Sequence, residues 1–148
     1  MRAVVSRVRR ASVVIDGSVH AEIGSGFLIL LGVTHTDTEI QAEKLAGKIC
    51  SLRVFEDENG KMNVGLEEAH GALLIVSQFT LYGNCAHGRR PDFLAAARPE
   101  IARPLYERFA ALCAEKGFSV QTGVFGADMK VDSLNDGPLT LLLDTDQL

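Results

Sequence analysis

Tryptophan is absent from this 148-residue chain and tyrosine occurs only twice. That scarcity argues against an aromatic platform of the kind that stacks single-stranded nucleic acid along a groove. Positive charge is also in deficit. The formal net charge of −4 excludes a general polyanion binder, so any nucleic-acid contact must come from a local basic patch. Cysteine occurs three times, as Cys50, Cys85 and Cys113. An odd number, widely spaced and without a CxxC pair, makes no disulfide framework, and a reducing cytoplasm is the simplest location. No long apolar run exists. Phe27 to Val33, FLILLGV, is far too short to cross a bilayer as a helix, and the N-terminal MRAVVSRVRRASVVIDG lacks the apolar segment of a signal peptide.

Several chemistries lack their signatures. His20, His35, His70 and His87 stand alone, without Cys, Asp or Glu at ligand spacing, so no metal is expected. No serine sits in a GxSxG elbow, and neither a P-loop nor a GxGxxG is present. GSGF, Gly24 to Phe27, lies between two strand-like runs and reads as a turn.

What remains is a folded chain, 47% hydrophobic, long enough for one domain with a real core. Val4, Val5 and Val8 among four arginines predict a first strand, and Asp16-Gly17 predicts a hairpin inside Ser12 to Ile23. FLILLGV reads as a central strand covered on both faces. From Asp37 to Leu52, Ile40, Leu45, Ile49 and Leu52 mark a helical stripe, with Thr36, Asp37 or Thr38 as N-cap. Glu58-Asn59-Gly60 predicts a turn, with a short strand or hairpin near Arg53 to Met62. Ala72 to Leu81, ALLIVSQFTL, reads as one strand. Ile101, Leu105, Phe109 and Leu112 mark a second helix, which Pro104 either opens or kinks. Strands near Ser119 to Phe125 and Met129 to Leu134, and a last one from Leu139, complete the chain. The expectation is a single α+β domain over residues 1–148, with mixed β-sheet layers and two main helices.

Two segments raise questions. In NDGPLT, Asn135 to Thr140, Asp136-Gly137 signals a hairpin between MKVDSL and LTLLLD, yet Pro138 follows and has no N–H for a ladder. Either Pro138 is a tolerated first strand residue, or Gly137-Pro138 presents backbone groups to a ligand. In SQFTL, Ser77, Gln78 and Thr80 interrupt an apolar run at a strand end. As a strand, Ser77, Phe79 and Leu81 would share one face, with Gln78 and Thr80 on the other. A polar strand end facing solvent is the plain alternative. In the loop beyond, HGRRP carries Arg89 and Arg90, which suit phosphate contacts or simply a solvated surface.

MRAVVSRVRRASVVIDG, SQFTLYGN followed by HGRRPDF, and TGVFGADMKVDSLNDGPLT together resemble the D-aminoacyl-tRNA deacylase family. The likeness runs from Met1 to Asp144. It rests on SQFTL and on Asn-x-Gly-Pro-x-Thr, here Asn135, Gly137, Pro138 and Thr140, with FGADM between them. The resemblance implies an esterase that frees tRNA from D-amino acids, without a cofactor. It also implies a homodimer with active sites at the subunit interface. The Gly137-Pro138 bond would be cis and enter the partner's pocket, which Ser77, Gln78, Phe79 and Thr80 of the other chain would line. Arg7 would brace the Gly-Pro loop, and Phe125 and Met129 would pack beside the pocket. Gln78 would orient the 3′-terminal adenosine, and Arg89 and Arg90 would meet acceptor-stem phosphates; no DNA or membrane partner is expected. Ser6, where the family usually has glutamine, and the loop from Gly83 to His87 depart from the family pattern.

The resemblance also suggests how chirality is read. If parallel carbonyls hold the α-ammonium and the ester carbonyl is fixed, a D side chain points to open space. An L side chain is driven into the Gly-Pro wall, so selectivity comes from rejection, and side-chain-free glycyl-tRNA is admitted. The ester is already activated, so orientation and an oxyanion site carry most of the work; backbone N–H groups of Ser77 to Thr80 are the candidate donors. Thr80 has no evident base partner, which favours water assisted by the ribose hydroxyl over a covalent Thr80 route. Two other readings stand beside this one. One is a non-catalytic dimeric nucleic-acid-binding module on the same fold. The other is a relative with changed stereochemical or tRNA preference, in which the first signature differs and the Gly-Pro bond is trans.

Overall fold

The computed structural model describes residues 1–148. Its long first strand β1 (Arg2–Ile15) turns through Asp16-Gly17 into β2 (Ser18–Ile23). Asp16 and Gly17 have φ of 50° and 78°, the left-handed pair that a tight hairpin needs. β3 (Gly26–Gly32) is next. It pairs with the first half of β1 as β2 pairs with the second, and Val8↔Gly26 and Ala11↔Ile23 stay in one register. GSGF is therefore a bend between two strands laid end to end along β1, not a chain-reversing turn.

Helix α1 (Glu39–Cys50) begins at Thr38, whose side chain and that of Gln41 form a reciprocal capping box. The β4 (Arg53–Glu56) and β5 (Met62–Gly65) hairpin stands apart as a small sheet. β6 (Ala72–Ser77) lies parallel to β3, and β7 (Val120–Thr122) parallel to β6. Between them runs α2 (Pro99–Glu115). Pro99 occupies its first turn and Pro104 lies inside it, so the helix starts earlier than the apolar stripe suggests.

The chain ends in β8 (Lys130–Asp144), and this overturns the hairpin expected around Asp136-Gly137. Both halves of β8 pair with β1, from Val14↔Lys130 to Arg2↔Asp144. Between Val8↔Asn135 and Ser6↔Thr140, two steps along β1 face five along β8, so the NDGPLT segment bulges out of a continuous ladder.

Alternation on the strands separates two cores. Phe27, Ile29 and Leu31 of β3, with Leu73 and Ile75 of β6, meet Leu45 and Ile49 of α1 and Leu105 and Phe109 of α2. Leu28, Leu74 and Val76 point the other way and meet Val8, Ala11, Val13, Ala21 and Ile23, where β1 and β2 curl over. The result is an α+β fold with a mixed, nearly closed sheet and two helices on one side. The Met1 ammonium is fully buried, 2.6 Å from Asp37 Oδ1 and 2.7 Å from Thr145 Oγ1, which ties both chain ends to the start of α1. No helix is long and apolar enough to cross a membrane.

Candidate active site

β6 does not extend through SQFTL. Gln78 N–H donates to Leu31 O at 2.8 Å, one residue before β3 ends at Gly32, and Phe79–Tyr82 then wind into a 3₁₀ turn. The alternating faces expected for Ser77 to Leu81 therefore do not form: the pairing partner has run out, and the chain coils instead. Coiling leaves the Phe79 and Thr80 N–H groups without an acceptor in the chain. The Gln78 side-chain amide donates to Thr80 Oγ1. No carboxylate or imidazole is hydrogen-bonded to that hydroxyl.

Beside this turn opens a cavity of about 630 Å³. Ser77, Gln78, Phe79, Phe125 and Met129 all line it, so β6 and the segment leading into β8 converge there. α2 contributes Ala102 and Tyr106. Tyr106 OH donates to Ile75 O at 2.8 Å, and its ring lies 5.9 Å from that of Phe125. Burial pushes the Tyr106 phenol up to about 12, so it stays a neutral donor at ordinary pH. Phe93, Arg98 and Val131 also line the cavity and were not singled out from the sequence. No group of three His, Cys, Asp or Glu side chains converges anywhere in the chain.

Gly137, Pro138 and Arg7 lie elsewhere: none lines this cavity. The Gly137–Pro138 peptide is cis. Gly137 has φ of 128°, and a Cβ there would stand 3.1 Å from Arg7 Nη2 and 2.9 Å from Leu139 N. Arg7, 6% exposed, lies beneath the bulge, where it donates from Nε to Asp136 O at 3.1 Å and from Nη1 to Val54 O. Asn135 and Thr140 clasp the bulge at its base. Asn135 Nδ2 donates to Thr140 Oγ1 at 2.8 Å, Leu139 N–H donates to Asn135 Oδ1 at 3.0 Å, and Thr140 meets Ser6 Oγ at 3.0 Å. The Asn and Thr of the second signature thus hold its loop together, a role visible in their flanking positions around Gly-Pro. Arg89 and Arg90 are exposed in a loop closed by backbone bonds between Asn84 and Asp92, and neither lines the cavity.

Removing the guanidinium in Arg7→Ala leaves two carbonyls without their donor. The expected loss is about 2 kcal/mol of stability, read by urea unfolding, and Arg7→Lys restores little of it because one ammonium cannot replace a planar fork.

The comparisons agree with this architecture. The D-Tyr-tRNA(Tyr) deacylase family profile matches residues 4–144. A D-aminoacyl-tRNA deacylase of Thermus aquaticus is 56% identical over 147 residues, covering 99% of this chain and 97% of its own. One from Chloroflexus aurantiacus is 56% identical over 148 residues, covering 100% of this chain and 92% of its own. Among solved structures, one described as c-Myc DNA Unwinding Element Binding Protein is 40% identical with a TM-score of 0.90, over 97% of this chain and 98% of its own. A probable eukaryotic D-amino acid tRNA deacylase, 17% identical with a TM-score of 0.82 over 96% of this chain and 97% of its own, shares the fold. The fold and these matches define a hydrolase of the kind that cleaves an aminoacyl ester of tRNA. The chain belongs to the D-aminoacyl-tRNA deacylase family.

Proposed function

We propose that this chain hydrolyses the ester of D-aminoacyl-tRNA in the cytoplasm, releasing free D-amino acid and tRNA, and spares L-aminoacyl-tRNA. The observation that carries this reading is the turn after β6. Two adjacent N–H groups, of Phe79 and Thr80, have no acceptor in the chain and lie beside an apolar cavity lined by Ser77, Gln78 and Phe79. Such donors suit an ester carbonyl that becomes an oxyanion. The Thr80 hydroxyl is bonded to an amide and not to a base, which favours water assisted by the neighbouring ribose hydroxyl over covalent attack by Thr80.

Gly137-Pro138 lies outside the cavity of its own chain. In the proposed homodimer it enters the partner's cavity, holds the α-ammonium and walls off the direction an L side chain would take. Glycyl-tRNA meets no such wall and is cleaved too. Arg7 braces the wall from beneath, Met129 packs beside the pocket, Gln78 orients the terminal adenosine, and Arg89 and Arg90 serve the acceptor stem.

The test follows ester loss from D-tyrosyl-tRNA and L-tyrosyl-tRNA in parallel. The parent protein is expected to clear the D ester alone, and Pro138→Ala to lose that activity. Survival of most activity in Thr80→Ala removes the covalent route, and its abolition supports that route. If the parent binds tRNA but cleaves neither ester, the chain is a binding module and the proposal fails.

A further inference from the structure

Arginine partners are unevenly distributed. Arg2, Arg7, Arg9, Arg10, Arg103 and Arg108 each have a carboxylate within bonding range, and Arg53 donates to Asn63 O. Arg89, Arg90 and Arg98 have no such partner, and all three fall in the segment between the 3₁₀ turn and α2. In a chain of net charge −4, the arginines without a bonded partner are thus gathered in one stretch. Arg98 is the member that lines the cavity. The one carboxylate in the cavity lining, Asp128, is engaged by Lys130 Nζ at 2.9 Å.

Two phenylalanines line the same cavity as Arg98. Phe79 and Phe93 meet edge to face, with centroids 5.0 Å apart, and remain 55% and 36% exposed. The segment that carries Phe93 and Arg98 is pinned rather than loose. Thr34 Oγ1 donates to Ala95 O at 2.6 Å, His35 Nε2 meets Leu94 O at 2.8 Å, and Ala97 N–H donates to Val33 O at 2.9 Å. A half-exposed aromatic pair and an unpaired arginine in one cavity wall supply the two elements that hold unpaired nucleotides, a stacking face and a phosphate contact. Low overall aromatic content excludes a long platform, but two rings at one mouth suffice for one base.

We propose that Arg98 and the Phe79–Phe93 pair bind the unpaired nucleotide that precedes the terminal adenosine of the aminoacylated tRNA. The guanidinium takes the phosphate joining the two nucleotides, and the exposed aromatic face takes the preceding base. This rests on the deacylase reading, with the terminal adenosine and its ester at the SQFTL turn. It assigns to the rim of the cavity a recognition of RNA that needs no contact with the double-stranded stem.

Binding and hydrolysis are measured separately, so that the two readings fail separately. Binding of adenosine and of the dinucleotide CpA is followed by calorimetry for the parent, Arg98→Gln and Phe93→Leu. CpA is expected to bind the parent more tightly than adenosine. Arg98→Gln should weaken CpA about tenfold and reduce the slope of its affinity against salt concentration, because one screened ion pair is lost. Phe93→Leu should weaken CpA about tenfold with little change in that slope. Both variants should affect adenosine severalfold less. In hydrolysis of the D-tyrosyl ester of CpA, the loss should appear in KM and not in kcat. Equal affinity of the parent for adenosine and CpA, or an equal loss of both ligands in Arg98→Gln, overturns the site. Failure of the parent to cleave D-tyrosyl-adenosine overturns the deacylase reading alone, because the binding arms do not depend on cleavage.

Discussion

Gly26→Ala is expected to prevent stable folding. An added Cβ at this position would stand 1.9 Å from Ala72 O and 2.6 Å from Ala72 N, both backbone atoms of the neighbouring strand. No rotamer change relieves such a clash, and φ of 152° at Gly26 disfavours any L side chain. Relief requires β3 and β6 to separate. Their parallel ladder starts at Gly26↔Ala72 and ends at Leu31↔Ser77, so the strain falls on the strand pair that delivers Ser77 and Gln78 to the cavity. The cost should reach about 4 kcal/mol or more, the range of the severest single substitutions. Thermal unfolding followed by circular dichroism checks this. A Gly26→Ala protein that melts like the parent would mean that β6 starts further from β3 than the structure places it.

Asp37→Ala is expected to cost a similar amount for a different reason. Asp37 Oδ1 lies 2.6 Å from the Met1 ammonium, and both groups are withdrawn from water. Asp37 Oδ2 also accepts the Thr34 N–H at 2.8 Å, just after β3. Removing the carboxylate leaves a buried cation with only Thr145 Oγ1 as acceptor, and breaking one side of a buried pair costs about 3–5 kcal/mol. For a domain of this size that lowers Tm by on the order of 10 °C. Asp37→Asn should recover part of the loss, because an amide oxygen still accepts hydrogen bonds but carries no charge. Equal Tm for Asp37→Ala and the parent would show that the ammonium is hydrated in solution.

Much of this fold was legible from local chemistry, and the failures share one cause. Asp16-Gly17 makes the hairpin its dipeptide predicts, because β2 pairs with the adjoining β1 and with no other strand. Asp136-Gly137 is the same dipeptide and makes none. There both flanking strands pair with β1, a partner more than a hundred residues away, which no local pattern reveals. SQFTL was marked as a site by its polar residues after an apolar run. Its coiling was hidden because the reason lies on another strand, where β3 stops at Gly32. The N-cap was narrowed to Thr36, Asp37 or Thr38 by residue type alone, and the structure selects Thr38, which has Gln41 three residues on for a capping box. The cavity was half legible. Ser77 to Phe79 and Met129 stand in signatures, whereas Phe93 and Arg98 reach the rim through Thr34 and Val33, contacts fixed only once β3 and α2 are packed.

The ladder between β1 and β8 joins residue 2 to residue 144, nearly the greatest sequence separation the chain allows. Contacts of such long range are slow to form, because loop-closure entropy must be overcome before any pairing offsets it. During synthesis β1 waits for its partner until residues 130–144 have emerged. The central β3–β6 pair and both helices can be in place well before then. Asn135 to Thr140 arrive with β8, so the loop carrying Gly137-Pro138 takes shape only when that final strand zips against the first. Until then the free edge of β1 is exposed, and this is the stage at which the nascent protein is most open to pairing with the wrong strand.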